Sequence, residues 1–299
     1  MQNEKVNFID PYLPFDQYLD INAISASHLR EYNYSPRAYY DRFVTKKVIK
    51  PTTTAMQEGQ MIHHFVLENH TFFEHYNLLD ESKKILTTLE ALKAECKKLG
   101  IKVSGSKETL MQRLLDKDET YIDCFPSKSA KPTIDSVKLD QLQQIRAEIF
   151  LNSNAEEIIL SGKPEVSCIT DSKNFSELPW KCRLDLLSEQ MGLIFELKTV
   201  DDIKNKVSLG YKILDMSYDI QAAHNIDVFK KITGERLNFL FIVAQRVYPF
   251  KVATVKVTRS DFDIALQKRN HLLKKLSRSF QEEYWPSFSH KQITLNLYN

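Results

Sequence analysis

The sequence predicts an α/β fold that carries a small helical insert, and three observations predict it. Short apolar runs and alternating stretches at 164–169, 180–187, 193–200, 237–243 and 250–257 have the length and period of β-strands. Segments at 59–68, 139–160, 218–229 and 261–280 space their apolar residues at helical intervals. Residues 86–116 depart from both patterns, with two short leucine-marked helices around a Ser-Gly-Ser-Lys turn.

The 299 residues accommodate one large domain or two smaller ones, and 42% hydrophobic content is enough for a core. With 7 glycines and no Walker or dinucleotide pattern, a glycine-rich phosphate cradle is excluded. A formal charge of +2 makes any nucleic-acid surface local rather than global. Cys96, Cys124, Cys168 and Cys182 show no CxxC spacing and read as reduced thiols, which sets the expectation of a cytoplasmic protein. The start of the chain lacks a signal-peptide pattern and no apolar run is long enough to span a bilayer, so no membrane association is expected.

In chain order, Ser25 reads as a helix cap ahead of Leu29, Tyr32 and Tyr34, and Ser35-Pro36 restarts a helix holding Tyr39, Tyr40 and Phe43. Residues 45–51 are a basic loop. Met61, Ile62, Phe65 and Val66 give the next helix its apolar face, with Gly59 and His63 four apart on one side. There Gly59 would admit the close approach of another backbone. In the insert, Leu89, Leu92 and Cys96 mark one helix, Gly100 ends it, and Leu110, Leu114 and Leu115 mark the second. Residues 117–132, with Pro126 and Pro132, read as a linker. After the helical stretch 139–160, Glu165 opens the first strand of the main core.

The segment 180–200 organises the rest. A turn at 188–192 makes 180–187 and 193–200 a hairpin, which brings Asp185 beside Glu196. Glu196 and Lys198 lie two apart and point to the same face of their strand. Buried charges without partners are costly, and two adjacent carboxylates repel unless a cation lies between them. Hard oxygen ligands favour Mg²⁺ or Mn²⁺ there, and Lys198 could steady a water or a phosphate oxygen. Downstream, 201–214 is polar and helical, and the helix 218–229 sets Gln221 and Asn225 four apart on one side.

Asp185 followed by Glu196-x-Lys198 resembles the active-site pattern of the PD-(D/E)XK nuclease superfamily. That resemblance implies a restriction-endonuclease-like core with a mixed central sheet flanked by helices. Leu92-Lys93, Leu99-Gly100-Ile101, Val103 to Lys107, Leu110 and Arg113-Leu114 resemble the SAP motif, a small DNA-binding hairpin. The expected division is therefore 1–83 and 119–299 for the nuclease domain and 84–118 for the insert. Ser104, Gly105, Lys107 and Arg113 are the expected DNA contacts of that insert, made at a helix N-terminus.

The order of signals, from the Ser25 helix start through Gly59-xxx-His63, Glu165, Arg183-x-Asp185, Glu196-x-Lys198 and Gln221 to Trp285-Pro286, is similar to the RecE-like (exonuclease VIII type) branch. The resemblance implies His63, Asp185, Glu196 and the Leu197 carbonyl as ligands of Mg²⁺, which Mn²⁺ can replace. It implies Lys198 as the residue that orients the attacking water and Gln221 as support for Lys198 or the DNA backbone. It also implies Glu165 and Arg183 at the 5′ end or scissile phosphate. The branch's QxxxY tyrosine is replaced by Asn225. No cysteine follows Cys182, so no iron–sulfur cluster is expected.

The implied activity is a 5′→3′ double-strand DNA exonuclease that makes 3′ single-stranded tails in phage-type recombination. Duplex ends, a ring-shaped homo-oligomer and a single-strand annealing protein are the implied partners. An endonuclease of the same superfamily and a non-catalytic DNA-binding protein carrying the SAP-like hairpin are the alternatives.

Overall fold

The computed structural model describes residues 7–80, 86, 88–117, 131–151, 155–171 and 178–287. The chain forms two compact units, Met1–Leu67 with Ile145–Asn299, and Glu68–Gln144.

The first unit is built on a six-stranded sheet. β1 (Phe8–Asp10), β4 (Lys163–Thr170), β5 (Trp180–Ser188), β6 (Leu193–Val200), β7 (Asn238–Gln245) and β8 (Val252–Lys256) lie side by side in that order. β4, β5 and β6 form an antiparallel meander, β6 and β7 are parallel, and β7 and β8 are antiparallel, so the sheet is mixed. The parallel step requires a crossover, which α10 (Lys206–Asp215) and α11 (Tyr218–Thr233) supply. β6 and β7 are covered on both faces, which is why their sequences are nearly continuous apolar runs.

α11 lies on the face of β6 that carries Glu196 and Lys198. Ile220, Ala223 and Ile226 of α11 join Leu187, Ile194, Phe239 and Phe241 in one core, with Leu273 and Leu276 of α12 (Arg259–Glu282) and Leu29 of α2 (Ala26–Tyr34). Each of these Leu, Ile and Phe side chains contributes about 1.5–3 kcal/mol on burial; Leu273→Asp would instead bury an unpaired charge against α11. The opposite face of β6 meets α4 (Thr54–Leu67). A Cβ placed on Gly59 would stand 3.1 Å from Thr199 Oγ1, and Thr199 points away from the Lys198 side. The close approach expected of Gly59 is therefore to a side-chain hydroxyl, not to another backbone.

The chain start is held from β5. Lys181 Nζ donates to the carbonyls of Tyr18 (2.7 Å), Leu19 (3.2 Å) and Ile21 (2.7 Å) at the C-terminal end of α1 (Phe15–Asp20), whose last carbonyls lack intrahelical donors. Arg183 Nη1 donates to the Leu13 carbonyl at 2.8 Å. Between α2 and α4, α3 (Pro36–Tyr39) passes into a π-helical turn at Tyr40–Val44, and α9 (Ala155–Ser161) precedes β4.

The second unit contains α5 (Phe72–His75), α6 (Leu89–Lys98), α7 (Lys107–Leu115) and a two-residue parallel ladder of β2 (Asn77–Leu78) with β3 (Thr133–Ile134). α8 (Ser136–Leu151) begins in this unit and ends in the first. α6 and α7 form the expected hairpin around Leu92, Cys96, Leu110, Met111 and Leu114. Thr88 and Ser106 cap the two helices through their side-chain oxygens. Gly100 ends α6 at φ +67°, a left-handed conformation that glycine adopts without steric cost. Of the linker expected at 117–132, residues 118–130 lie outside the described residues.

Candidate active site

The β5–β6 ladder pairs Ser188 with Leu193, Leu187 with Ile194 and Leu186 with Phe195, and ends there. The next two positions are Asp185 and Glu196. Where the following backbone rung would form, the Leu197 amide instead donates to Asp185 Oδ2 at 2.8 Å. The Asp185 and Glu196 carboxyls are within hydrogen-bonding reach of each other.

Glu196 is fully buried and accepts three N–H donors. Lys198 Nζ and Gln221 Nε2 both donate to Oε2 at 2.8 Å, and Asn225 Nδ2 donates to Oε1 at 2.9 Å. Gln221 and Asn225 reach it together because a spacing of four puts them on one side of α11. Lys198 Nζ also lies 3.9 Å from Asp185 Oδ2. From the other side of the sheet, α4 brings His63 Nδ1 to 3.6 Å from Asp185 Oδ2, and the His63 ring hydrogen-bonds the Leu197 main chain. Arg246 ties this side down by pairing with Asp201 and Glu58, the neighbour of Gly59. The expected residues His63, Asp185, Glu196, Leu197, Lys198 and Gln221 thus come together.

Burial, and after it the Asp185 charge, pushes the Glu196 carboxyl up to about 7. Burial pushes Asp185 up to about 6 against the pull of the Lys198 ammonium. Burial also opposes the charge of Lys198, yet Glu196 and Asp185 outweigh it and hold the ammonium above the ordinary lysine value. Burial, then Lys198, holds His63 down at about 4, so its ring is neutral at pH 7. Asp185 and His63 keep 16% and 25% of their side chains exposed, so water reaches them while Glu196 has none. With both acids ionised, two carboxylates face one ammonium and the site carries an uncompensated negative charge.

The donors fit a hard divalent cation in kind: two carboxylates, a main-chain carbonyl and a neutral imidazole. Among the described residues no three His, Cys, Asp or Glu side chains stand together as a ready ligand set. Glu196 is instead turned to its three N–H donors.

The remaining expected residues are placed differently. Glu165 adopts φ +55°, a strained conformation for a non-glycine residue. Its Oε2 accepts from Arg183 Nε at 2.6 Å. The Arg183 guanidinium is further engaged by Ser167 Oγ and the Leu13 carbonyl, so it braces the sheet and the chain start. Ser104, Gly105, Lys107 and Arg113 belong to the second unit. Gly105 takes φ +138° in the turn, and Lys107 is the first residue of α7. Arg113 Nη1 donates to the Lys102 and Ser104 carbonyls at 2.8 and 2.7 Å and so closes the turn from within.

A cavity of about 320 Å³ opens beside Lys198 and Gln221, with Ser25, Ser27, Arg30 and Arg183 in its wall. Sequence reasoning took Ser25 only as a cap and left Arg30 aside. Their signal was the Ser-x-Ser spacing ahead of an arginine on one helix start.

A family model described as "PDDEXK-like domain of unknown function (DUF3799)" matches residues 25–293. The fold is similar to a crystal structure described as "Putative exonuclease" from Eubacterium rectale, with a TM-score of 0.58 and 15% identity over 92% of this chain and 89% of that one. A structure named SSO0001 aligns over 75% of this chain and 85% of that one at 11% identity, and its TM-score of 0.28 is too low to bear on the fold. No curated protein matches the sequence. The mixed sheet with helices on both faces is consistent with a restriction-endonuclease-like core, and PD-(D/E)XK nucleases generally use divalent metals. With the family model spanning residues 25–293, this chain belongs to the PDDEXK-like family.

Proposed function

We propose that this chain is a divalent-cation-dependent exonuclease that degrades one strand of duplex DNA from an end, 5′→3′, leaving 3′ single-stranded tails for recombination. One observation carries the nuclease assignment: Asp185, Glu196 and Lys198 meet where β5 and β6 part, with Lys198 Nζ 2.8 Å from Glu196 and 3.9 Å from Asp185. The exonuclease part of the reading draws support from the "Putative exonuclease" description of the Eubacterium rectale protein, and the direction of digestion and the recombination role rest on the RecE-like order of motifs alone.

Asp185, Glu196, the Leu197 carbonyl and His63 would hold Mg²⁺, or Mn²⁺ in its place. A bound divalent cation supplies Lewis-acid stabilisation of the phosphoryl oxygens and lowers the pKa of water. Lys198 keeps its proton, so it acts as a donor that orients the attacking water and the phosphate. Gln221 shares Oε2 of Glu196 with Lys198 and fixes the direction of that carboxylate. Water attacks phosphorus and gives up a proton to solvent, and the bond to the leaving 3′ oxygen breaks as that oxygen takes up a proton. Arg30 with the hydroxyls of Ser25 and Ser27 gives the adjoining cavity the character of an anion cradle, suited to a terminal phosphate.

The α6–α7 hairpin adds duplex affinity through the α7 N-terminus and Lys107. A ring-shaped homo-oligomer, a single-strand annealing partner and a cytoplasmic setting complete the reading; no helix among the described residues is long and apolar enough to cross a membrane.

The test is digestion of linear duplexes labelled at either 5′ or 3′ ends, with Mg²⁺ or with EDTA, beside a covalently closed circle. Release of the 5′ label first, only with Mg²⁺ and only from linear DNA, is the expected result. Cutting of the closed circle makes the enzyme an endonuclease. Tight binding without cleavage under any divalent cation makes the chain a DNA-binding protein.

A further inference from the structure

The basic loop that joins the π-helical turn to α4 takes no part in the site described above. Residues 46–57 are exposed without a break. Among them Lys46, Lys47 and Lys50 flank Val48 and Ile49, which are 53% and 89% exposed. No acidic residue occurs between Asp41 and Glu58, and Arg42, the other cation of that stretch, is engaged by Glu31 at 2.9 Å. Both stems of the loop are fastened. The Thr45 amide donates to the Tyr40 carbonyl at 2.9 Å, and the Lys47 and Val48 amides donate to the Asp41 carbonyl at 2.8 and 3.2 Å. Behind them the Tyr40 and Phe43 rings pack on Trp285 and His28. At the far end Thr53 Oγ1 accepts from the Met56 amide and starts α4, the helix that brings His63 to Asp185. Two apolar side chains held in water between three ammonium groups suit an anionic partner with an apolar recess.

We propose that the loop 46–50 grips duplex DNA beside the cation site, with Lys46, Lys47 and Lys50 on backbone phosphates and the Val48–Ile49 tip in the minor groove between them. The proposal rests on the nuclease reading above and deepens it by naming a duplex-holding surface in the unit that contains the site. Lysine, apolar tip, lysine matches phosphate, groove, phosphate across a minor groove about 6 Å wide. Apolar side chains are what minor-groove proteins insert there, and lysines on phosphates fix position without reading sequence. From Thr54 to His63 is nine residues of helix, about 13.5 Å, or about four nucleotides at 3.4 Å per step. The loop therefore holds the duplex on the order of four nucleotides from the phosphate being cleaved. An anionic lipid surface shares part of this chemistry; the continuity of the loop with the helix that carries His63 favours DNA.

The experiment is binding of the full chain to a labelled duplex in Ca²⁺ across a salt series, for the wild type, the triple variant Lys46→Gln, Lys47→Gln, Lys50→Gln, and Ile49→Ser. All four positions are exposed, so each variant folds, and a thermal melt checks it. The triple variant should lose affinity mostly at low salt, with the slope of log affinity against log salt shallower by about 2–3, close to 0.9 per lost phosphate contact. Ile49→Ser should lose roughly 10-fold at every salt concentration with the slope unchanged, because the lost contact is apolar. Mn²⁺ affinity, read by calorimetry, should be that of the wild type in both. A fall in Mn²⁺ affinity alongside duplex affinity would mean that the loop acts through α4 and His63, and it overturns the proposal. Wild-type affinity and slope in both variants overturn it as well. Sedimentation with vesicles of phosphatidylserine and phosphatidylcholine separates the lipid: variants that lose the vesicles and keep the duplex assign the loop to a membrane surface instead. If the wild type itself binds no duplex, the nuclease reading fails and the proposal falls with it; if it binds and the variants match it, only the loop's role fails.

Discussion

The main-chain amide of Leu197 is bonded to the side chain of Asp185 across the gap where β5 and β6 stop pairing, at 2.8 Å. An acid of the proposed cation site therefore also takes the place of a strand carbonyl. Asp185→Asn keeps an oxygen for that amide and removes the charge. Its melting temperature should equal or exceed that of the parent, while cleavage falls by at least about 100-fold. Asp185→Ala leaves the amide without an acceptor and should cost about 1–3 kcal/mol in addition. Thermal melts paired with end-label digestion separate the two effects, and an active Asp185→Asn would remove Asp185 from the site.

Glu196 gives the site a signature in pH. Its folded pKa is raised from 4.5 to about 7, so its contribution is fully present below pH 4.5 and is lost as pH rises through 7. Asp185 acts in the same direction between 3.8 and about 6, while His63, lowered from 6.5 to about 4, acts in the opposite one. The parent curve is thus partly cancelled, and the informative quantity is the parent minus Glu196→Gln. That difference in unfolding free energy should fall between pH 4.5 and 7, by up to roughly 3 kcal/mol. Denaturant titrations across this range check it, and a flat difference would contradict a raised Glu196.

A divalent cation should replace those protons. At pH 7.5, Ca²⁺ or Mn²⁺ at 100 times its Kd should stabilise the protein by about 2.7 kcal/mol, a rise of several degrees in melting temperature. At pH 5, where protons compete for both acids, the rise should shrink. His63→Ala should lower the rise at pH 7.5 without changing the melting temperature in EDTA by more than a degree or two. An equal cation effect in His63→Ala and the parent would place His63 outside the ligand set.

Two residues of the α6–α7 hairpin should behave differently. Arg113 donates to the Lys102 and Ser104 carbonyls, so Arg113→Ala should loosen the turn and cost about 1–2 kcal/mol. Lys107→Glu should leave stability nearly unchanged and weaken duplex binding, more at low salt than at high salt. Denaturant titration reads the first, and binding to a labelled duplex in Ca²⁺ across a salt series reads the second. Parent-like binding by Lys107→Glu at every salt concentration would take that lysine out of the DNA surface.

The central strands and their acids were legible because charges inside an apolar run carry information that surface charges do not. Glu196-x-Lys198 declared a shared face by its spacing, and a short turn placed Asp185 opposite. The hairpin was legible for a similar reason, since leucine spacing, a terminating glycine and the Ser-Gly-Ser-Lys turn all agree. β1, with three residues, and α1, with six, are too short to show a period. The roles of Arg113 and Arg183 were hidden because their partners include backbone carbonyls, which have no signature in sequence. Asn225 was visible as four residues beyond Gln221, but only the fold shows which carboxylate oxygen it takes.

The clamp of Lys181 and Arg183 on the chain start also bears on the order in which the protein assembles. Lys181 grips Tyr18 from 163 positions away, and Arg183 grips Leu13 from 170. During synthesis residues 13–21 leave the ribosome long before their holders exist. At about 5–20 residues per second they wait on the order of ten seconds or more for β5. In that interval Phe15 and Leu19, which remain exposed even in the finished fold, have nothing of β5 to rest on. Residues 13–21 are thus made well before the strand that fastens them.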